Sequence, residues 1–538
     1  MYGLFATQTS RPRTEVQPNL LWAALVSAAL SALAMPGKIG WWPLLFVALV
    51  PLLRLCLNDR PLRSVAAGFL FGVVYHLALL YWILIVLGQY GDLPLWVSLP
   101  ALVLLASYMA GYCAVFCGLL SLLAGRAKDQ ERSAVAFVWI APLFWVGLDY
   151  LRSVLFTGFP WMDLGYGLFS QPWLIQAADL GGHHLLTFFL VLGNCLLVAG
   201  LDWRQYRSRY RQRSERRLLL TAGVLFVAVI GYSLVRYHAV ATTINHSLQA
   251  RVAVVQGNID QAIKWSPAIK AETVDTYLRL SRQVLDGEAA QLIIWPETAL
   301  PFYPQQDTLI GKVIGFTTDT NTWLFTGAPL YSVTVKKEGE EEIRYYNGSI
   351  LIGPEGKVGG EYNKQHLVPF GEYVPLRRYL PFLQPLVVNI GDFSAGTVTG
   401  PLPLGPLWLG VLICYESIFP DIAATTVKKG ANMLVNLTND AWYGRSSAPY
   451  QSMAMAVFRA VENKRSLVRA ANTGISGFID PVGHIMVQTE IFTEAAQAAD
   501  VPVMNLQTVF TWNGSYFGLI CAVLMPFFLL LNRYRARS

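Results

Sequence analysis

The chain has 538 residues, of which 54% are hydrophobic and only 14% charged, with 41 Lys and Arg against 34 Asp and Glu. Soluble domains are roughly a quarter charged, so a single soluble globule is excluded and a lipid-facing part is expected, in line with a mean hydropathy of +0.41. The basic excess does not read as nucleic-acid binding, because the arginines cluster between apolar runs and not along one soluble face.

A spanning helix needs about 20 apolar residues. Taken in chain order, runs at 20–35, 41–57, 64–87, 99–123, 134–148, 185–201 and 218–235 approach this, and another covers 516–531. Lys and Arg in the loops decide orientation. Arg11 and Arg13 precede the first run, and Arg54, Arg60 and Arg63 flank the loop after the second. Arg126, Lys128 and Arg132 follow the fourth, a dense group over 204–217 follows the sixth, and Arg533, Arg535 and Arg537 close the chain. The intervening loops hold little beyond Lys38 and Arg152. This alternation predicts about eight spans with both termini in the cytoplasm, which puts 240–515 on the outer face. The expected organisation is a seven-helix membrane domain over 1–239, an α/β domain over 240–515, and a last helix with a basic tail over 516–538. Arg11, Arg13 and Ala32-Leu33-Ala34 also have the form of a cleavable signal peptide. A retained anchor is preferred because another apolar run follows at once, and cleavage would leave the later sidedness unchanged.

Between the seventh and eighth runs the composition becomes that of a soluble protein. Short β-branched segments at 251–255, 292–295, 322–326, 349–352, 407–414, 433–437 and 477–479 predict buried strands. Helical spacing over 268–285, 308–318, 422–429 and 450–463 places helices between several of them, which predicts sheets covered by helices.

Five of the six cysteines (Cys56, Cys113, Cys117, Cys195 and Cys521) lie in apolar runs, where a free thiol is a small hydrophobe. Cys414 alone lies in the soluble part, so it has no disulfide partner there and is a candidate reactive thiol. It ends the strand Val411-Leu412-Ile413, followed by Tyr415-Glu416. Two other strand ends carry chemistry: Trp295-Pro296-Glu297, and Tyr362-Asn363-Lys364 leading to Gly371-Glu372. Strand ends are where α/β folds collect functional side chains. Taken singly, Glu297 could cap a turn, Lys364 could be a solvated loop lysine and Cys414 an inert core thiol. The case rests on the three occurring together and in this order.

Together they resemble the nitrilase superfamily, whose Glu-Lys-Cys triad sits in an α-β-β-α sandwich, over residues 250–510. With the multi-span first half and the final helix, the whole chain resembles the membrane-anchored branch, the apolipoprotein N-acyltransferase family. Gln256-Gly257-Asn258, Asn439-Asp440-Ala441-Trp442-Tyr443-Gly444 and Thr157-Gly158-Phe159-Pro160-Trp161 also carry that resemblance. Ser417-Ile418-Phe419-Pro420 is closer to generic nitrilase sequences.

The resemblance implies a bacterial inner-membrane enzyme with its catalytic domain on the periplasmic face. It implies transfer of a fatty acyl group from a phospholipid, through a Cys414 thioester, to the α-amine of a diacylglyceryl-cysteine on a lipoprotein. In that scheme Glu297 is the general base, Lys364 steadies the oxyanion, and Glu372, Tyr415 and Glu416 support them. Trp265, Asn439 and Trp442 are carried over as substrate-pocket residues. The stretch 375–388 is too apolar for an ordinary loop and is expected to form a membrane-facing lid or arm. A monomer is expected.

The seven histidines include no His-Glu-x-x-His pattern, His183-His184 stands at the start of a span, and no Gly-rich phosphate loop occurs. No metal, nucleotide or other cofactor is therefore expected. Two rivals stay open at this point: a membrane-tethered amidase that hydrolyses the thioester with water, and a receptor or scaffold whose triad is a relic.

Overall fold

A computed structural model describes residues 19–129, 136–202, 213–287, 289–335, 341–373, 393–397 and 400–537. The apolar stretch 375–388 lies outside the described residues, as do Arg11, Arg13 and most of the 204–217 cluster.

The first half is helical: α1 (Leu20–Ala34), α2 (Val50–Asn58), α3 (Pro61–Leu80), α4 (Leu95–Asp129), α5 (Phe137–Val154), α6 (Ala178–Leu201) and α7 (Arg213–Ile244). Five of these, α3 to α7, are long and apolar enough to cross a membrane. The other predicted runs form shorter apolar helices within Leu20–Ala34, Trp42–Asn58 and Tyr516–Leu530. The run at 41–57 is divided into a 3₁₀ turn, Trp42–Phe46, and α2, each with a proline in its first turn. Proline lacks the N–H that would carry one helix into the next. α3 and α4 approach closely because α3 presents glycine. A Cβ on Gly68 or Gly72 would stand 2.6 Å from the α4 backbone, the small-residue contact that lets helices meet without a hydrophobic driving force.

α7 leads almost directly into β1 (Leu248–Gln256). The strands that follow are β2 (Leu292–Ile294), β3 (Trp323–Val335), β4 (Glu341–Ile352), β5 (Val358–Asn363), β6 (Leu402–Leu404), β7 (Leu407–Ile413), β8 (Met433–Thr438), β9 (Ser466–Ala471), β10 (Gly477–Ile479), β11 (Ile485–Gln488) and β12 (Ala495–Val503). The helices among them are α8 (Pro267–Leu285), α9 (Ile310–Thr320), α10 (Pro420–Lys428) and α11 (Ala448–Asn463), with α12 (Val509–Asn513) and α13 (Tyr516–Arg537) last.

The strands form two six-stranded sheets, ordered β12-β1-β2-β3-β4-β5 and β11-β10-β9-β8-β7-β6. Each has three parallel strands at its centre, β1-β2-β3 and β9-β8-β7, flanked by antiparallel neighbours.

Side chains alternate across a strand, and here both faces are apolar. Val252, Val254, Leu292 and Ile294 meet Leu409, Val411, Ile413 and Val435 between the sheets. Their neighbours Ala253, Val255 and Ile293 pack outward on Val274 and Tyr277 of α8 and Val313 of α9. On the far side Leu412, Leu434 and Leu467 pack on Val427 of α10 and Val457 and Val461 of α11. That second helical layer is continuous with the apolar helices of the first half, since the same apolar core runs on to Phe144 of α5 and Leu186 and Phe189 of α6.

The four predicted soluble helices and seven predicted strands are present, most within two residues; β3 and β4 run well beyond the predicted segments. The sequence reading lacks β5, β6, β9, β11 and β12. β12 (AAQAADVPV) has few β-branched residues, β9 carries the buried Arg469, and β5 carries Gly359 and Gly360. Each owes its strand state to pairing with a neighbour more than to its own propensity.

Candidate active site

The site is assembled where the central strands end. β2 stops at Trp295-Pro296, and Trp295 is locked by stacking on Tyr277 (5.1 Å between centroids) and a 2.8 Å hydrogen bond from its Nε1 to Ser281 Oγ. The next residue, Glu297, is turned inward over β3, which must come close enough for the amide of Gly327 to donate to Pro296 O at 3.2 Å. Only glycine fits there: a Cβ on Gly327 would lie 2.5 Å from the Thr298 nitrogen and 2.7 Å from the Glu297 Cα. The Glu297 carboxylate, 7% exposed, accepts from Asn347 Nδ2 (2.7 Å) and from the Asn439 amide (2.8 Å).

Lys364 follows β5 and is 1% exposed. Its amide donates to Asn347 O at 2.9 Å, and its Nζ lies 3.0 and 2.9 Å from the two Glu372 carboxylate oxygens and 3.9 Å from Glu297 Oε1. Burial works against the ammonium, but Glu372, Cys414 and Glu297 outweigh it and hold the Lys364 pKa above its ordinary value. Lys364 is thus a fixed positive charge. Glu372 also accepts from the Val368 amide (2.8 Å) and from Asn347 Nδ2 (2.7 Å).

β7 runs into Cys414, whose φ of 50° lies in the left-handed region, a conformation that costs an ordinary residue roughly 1–2 kcal/mol. Glu416 holds this turn in place. Its carboxylate accepts from the amides of Ile413 (2.7 Å), Gln365 (2.7 Å) and His366 (3.2 Å) and from the Tyr362 hydroxyl (3.0 Å), tying the Cys414 turn to the lysine loop. Burial raises the Glu416 carboxyl to about 7, against the pull of those donors. Burial likewise pushes the Cys414 thiol up to about 12; the negative charge of Glu297 adds to this and Lys364 opposes it. The sulfur therefore rests protonated, with both charges acting on it.

Two of the predicted site residues, Trp442 and Tyr415, face the helical half. Trp442 packs edge-on against Tyr90 at 5.4 Å, and its neighbour Tyr443 packs on Trp82 at 4.9 Å. The Tyr415 hydroxyl donates to Gly158 O at 3.4 Å, and its ring meets Phe419 and His366. Asn439 lies deeper, its Nδ2 bonded to Gln261 and its Oδ1 accepting from Asn472. Trp265 is 39% exposed, beside the fully buried Lys264.

Family models match both halves of this architecture: the apolipoprotein N-acyltransferase N-terminal domain over residues 27–196 and carbon-nitrogen hydrolase over 251–509. The chain is 40% identical over 502 residues to the apolipoprotein N-acyltransferase of Geobacter metallireducens, covering 93% of this chain and 92% of that one. The chain belongs to the apolipoprotein N-acyltransferase family. It is also 33% identical over 521 residues to the apolipoprotein N-acyltransferase of Pseudomonas putida, covering 96% and 97%. A fainter likeness to the Nesterenkonia AN1 amidase from the nitrilase superfamily has a TM-score of 0.35 at 20% identity, over 48% of this chain and 92% of that one.

Two site residues of this family member escape sequence reading. Asn347 donates to both Glu297 and Glu372, yet Asn347-Gly348 has the form of a hairpin turn; here it lies inside β4. Lys264 has no exposed surface and donates from Nζ to Thr298 Oγ1 (2.8 Å) and to the Glu297 carbonyl (3.4 Å). Burial lowers its ammonium to about 8, with Glu297 opposing. Its signal in the sequence is a lone lysine in a polar loop.

Proposed function

We propose that this chain is an N-acyltransferase of lipoprotein maturation. It moves a fatty acyl group from a membrane phospholipid, through a thioester on Cys414, to the α-amine of the N-terminal diacylglyceryl-cysteine of an apolipoprotein. The observation that carries this reading is the meeting of a buried carboxylate, a buried ammonium and a partly buried thiol where the strand-end turns touch the helical half through Tyr415 on Gly158 and Trp442 on Tyr90.

In the first half-reaction Glu297 takes the Cys414 proton as sulfur bonds to the ester carbonyl carbon. Lys364 neutralises the developing oxyanion. The carbon–oxygen ester bond then breaks, and Glu297 returns the proton to the lysophospholipid oxygen. In the second, the acceptor amine attacks the thioester, Glu297 takes a proton from nitrogen, the carbon–sulfur bond breaks and the proton goes back to sulfur. Base help of this kind contributes about 10²–10⁴-fold, and one oxyanion donor about 10²–10³-fold. A thiol raised to about 12 makes the base necessary, because its thiolate is too scarce at neutral pH. The cycle needs no cofactor, and one chain supplies every group in it, which supports a monomer.

We read the chain as a multi-pass protein of the bacterial inner membrane with about eight spans, both termini in the cytoplasm and the site on the periplasmic face. The five long and three shorter apolar helices support this, together with the alternation of basic loops.

The test supplies detergent-purified enzyme with phospholipid and a diacylated lipopeptide. A hydroxylamine-sensitive acyl increment on the intact protein, lost in C414A, together with a triacylated peptide, is expected. E297Q and K364M should slow acylation by about 10²–10⁴-fold and 10²–10³-fold. Free fatty acid without acylated peptide would select a hydrolase, and the absence of any protein adduct would end the enzymatic reading.

A further inference from the structure

Where the loop after α5 meets α6, three ligand-bearing side chains turn toward one point away from the triad. Asp163, His183 and His184 are 2%, 1% and 1% exposed, and a carboxylate oxygen and one nitrogen of each ring all lie within 4.8 Å of one another. Consecutive residues on a helix diverge by about 100°, which ordinarily separates adjacent histidines. Here the backbone departs from the helix at Gly181 (φ −131°) and Gly182 (φ 69°), and the two rings lie with centroids 4.0 Å apart.

Hydrogen bonding around the cluster is incomplete at both histidines: His183 Nδ1 and the two ring nitrogens of His184 are buried without a hydrogen-bond partner among the described residues. Asp163 takes the Arg152 guanidinium on Oδ1 and has His183 Nε2 at 2.9 Å from Oδ2. His183 Nδ1 is 3.5 Å from Glu462 Oε1. His184 Nε2 stands 3.7 Å from Asp163 Oδ2. A neutral imidazole carries one N–H and one lone pair, and leaving such groups buried and unpaired costs about 1–3 kcal/mol each. A cation on the free lone pair of Nε2 removes part of that cost.

We propose that Asp163, His183 and His184 bind one divalent transition-metal ion, with zinc the ion that this two-nitrogen, one-oxygen set suits best. Asp163 binds through Oδ2, leaving Oδ1 to Arg152. His183 binds through Nε2, and its single N–H then resides on Nδ1, facing Glu462. This is the carboxylate–histidine–metal arrangement that orients ligands in known sites. His184 supplies Nε2. Glu462 belongs to α11, so the group behind the His183 ligand comes from the α/β domain while all three ligands lie in the helical half. The ligands come from segments 20 residues apart, so no single-segment spacing announces them.

The full chain, carrying a tag without histidine, is purified in detergent from cells grown in metal-replete medium, and its metal content is measured by mass spectrometry. About one zinc per chain is expected in the wild type, falling about tenfold or more in H184Q and D163N. Because either variant could fail to fold, wild type from chelator-treated medium is also loaded with cobalt(II), which should give the visible bands of a nitrogen-and-oxygen-bound ion and raise the unfolding temperature. A wild type without stoichiometric metal and without a cobalt spectrum overturns the site and leaves Asp163 and His183 sharing a proton only. Retention of full metal in a folded H184Q overturns the ligand assignment.

Discussion

The Cα of Glu297 stands where a side chain on Gly327 would have to go: a Cβ built there lies 2.7 Å from it. The carboxylate proposed as the base is therefore aimed by the absence of an atom on the neighbouring strand. G327A must push the Pro296–Thr298 backbone away, because the obstacle is main chain and cannot rotate aside. We expect acyl-enzyme formation to fall about 10²-fold, the loss that follows a misplacement of about 1 Å, at a cost of about 1–3 kcal/mol in stability. Single-turnover acylation and thermal unfolding measure the two. Activity within threefold of wild type would show that Glu297 is not held by this contact.

The protonation of Cys414 gives a second expectation. With the thiol raised to about 12, the thiolate fraction should climb about tenfold per pH unit throughout the accessible range. Alkylation of Cys414 by iodoacetamide in lipid-free enzyme, followed on its own peptide, should rise accordingly from pH 7 to 10 without levelling. A plateau below pH 9 would mean a stabilised thiolate and would remove the need for Glu297 as base.

Lys264 ties the loop bearing Trp265 to the backbone of Glu297. Its pKa is lowered to about 8, so as pH rises through 8 the ammonium loses its proton, and with it a charge and a donor beside Glu297. Wild-type acylation should decline across that interval. K264M should be slower at pH 7 by about tenfold to 10²-fold, with little change in KM, and should lack the alkaline decline. If K264M keeps the decline, another group titrates there.

Glu416 offers a test on stability. In E416A the amides of Ile413, Gln365 and His366 lose their acceptor, each at about 1–3 kcal/mol, and the unfolding temperature should drop by about 5–10 °C. The pH dependence has a definite sign. Burial raises this carboxyl in the folded chain to about 7, so its contribution is fully present at low pH and is lost as pH rises through 7. Scanning calorimetry should show wild type losing stability between pH 5 and 8 relative to E416Q, which stays uncharged. Parallel curves would place the carboxyl pKa near its ordinary value.

Much of the molecule is legible in the sequence for a physical reason: buried parallel strands must be apolar on both faces, and β1, β2, β7 and β8 are. Glu297 and Cys414 stand out because each is the first polar residue after such a strand, and Lys364 because its motif accompanies theirs. What stays hidden is whatever works through a partner. Asn347 matters for the two carboxylates it bridges, Lys264 for a carbonyl in another loop, and Gly327 for the backbone it lets pass. β12 exists because β1 offers it an edge along nine residues. The apolar runs mark the apolar helices but not their ends. α7 extends from Arg213 to Ile244, well past the predicted 218–235, since a polar residue at a helix terminus does not stop the hydrogen-bond ladder.

Phe458 of α11 lies edge-on against Tyr166 at 5.0 Å, and Tyr443 rests on Trp82. The hydrolase-like half thus shares one flank with the bundle beside it. Severed between α7 and β1, it would present that flank to water as a contiguous apolar surface. The portable, freely soluble amidase that its two sheets invite one to expect is not there to be cut out.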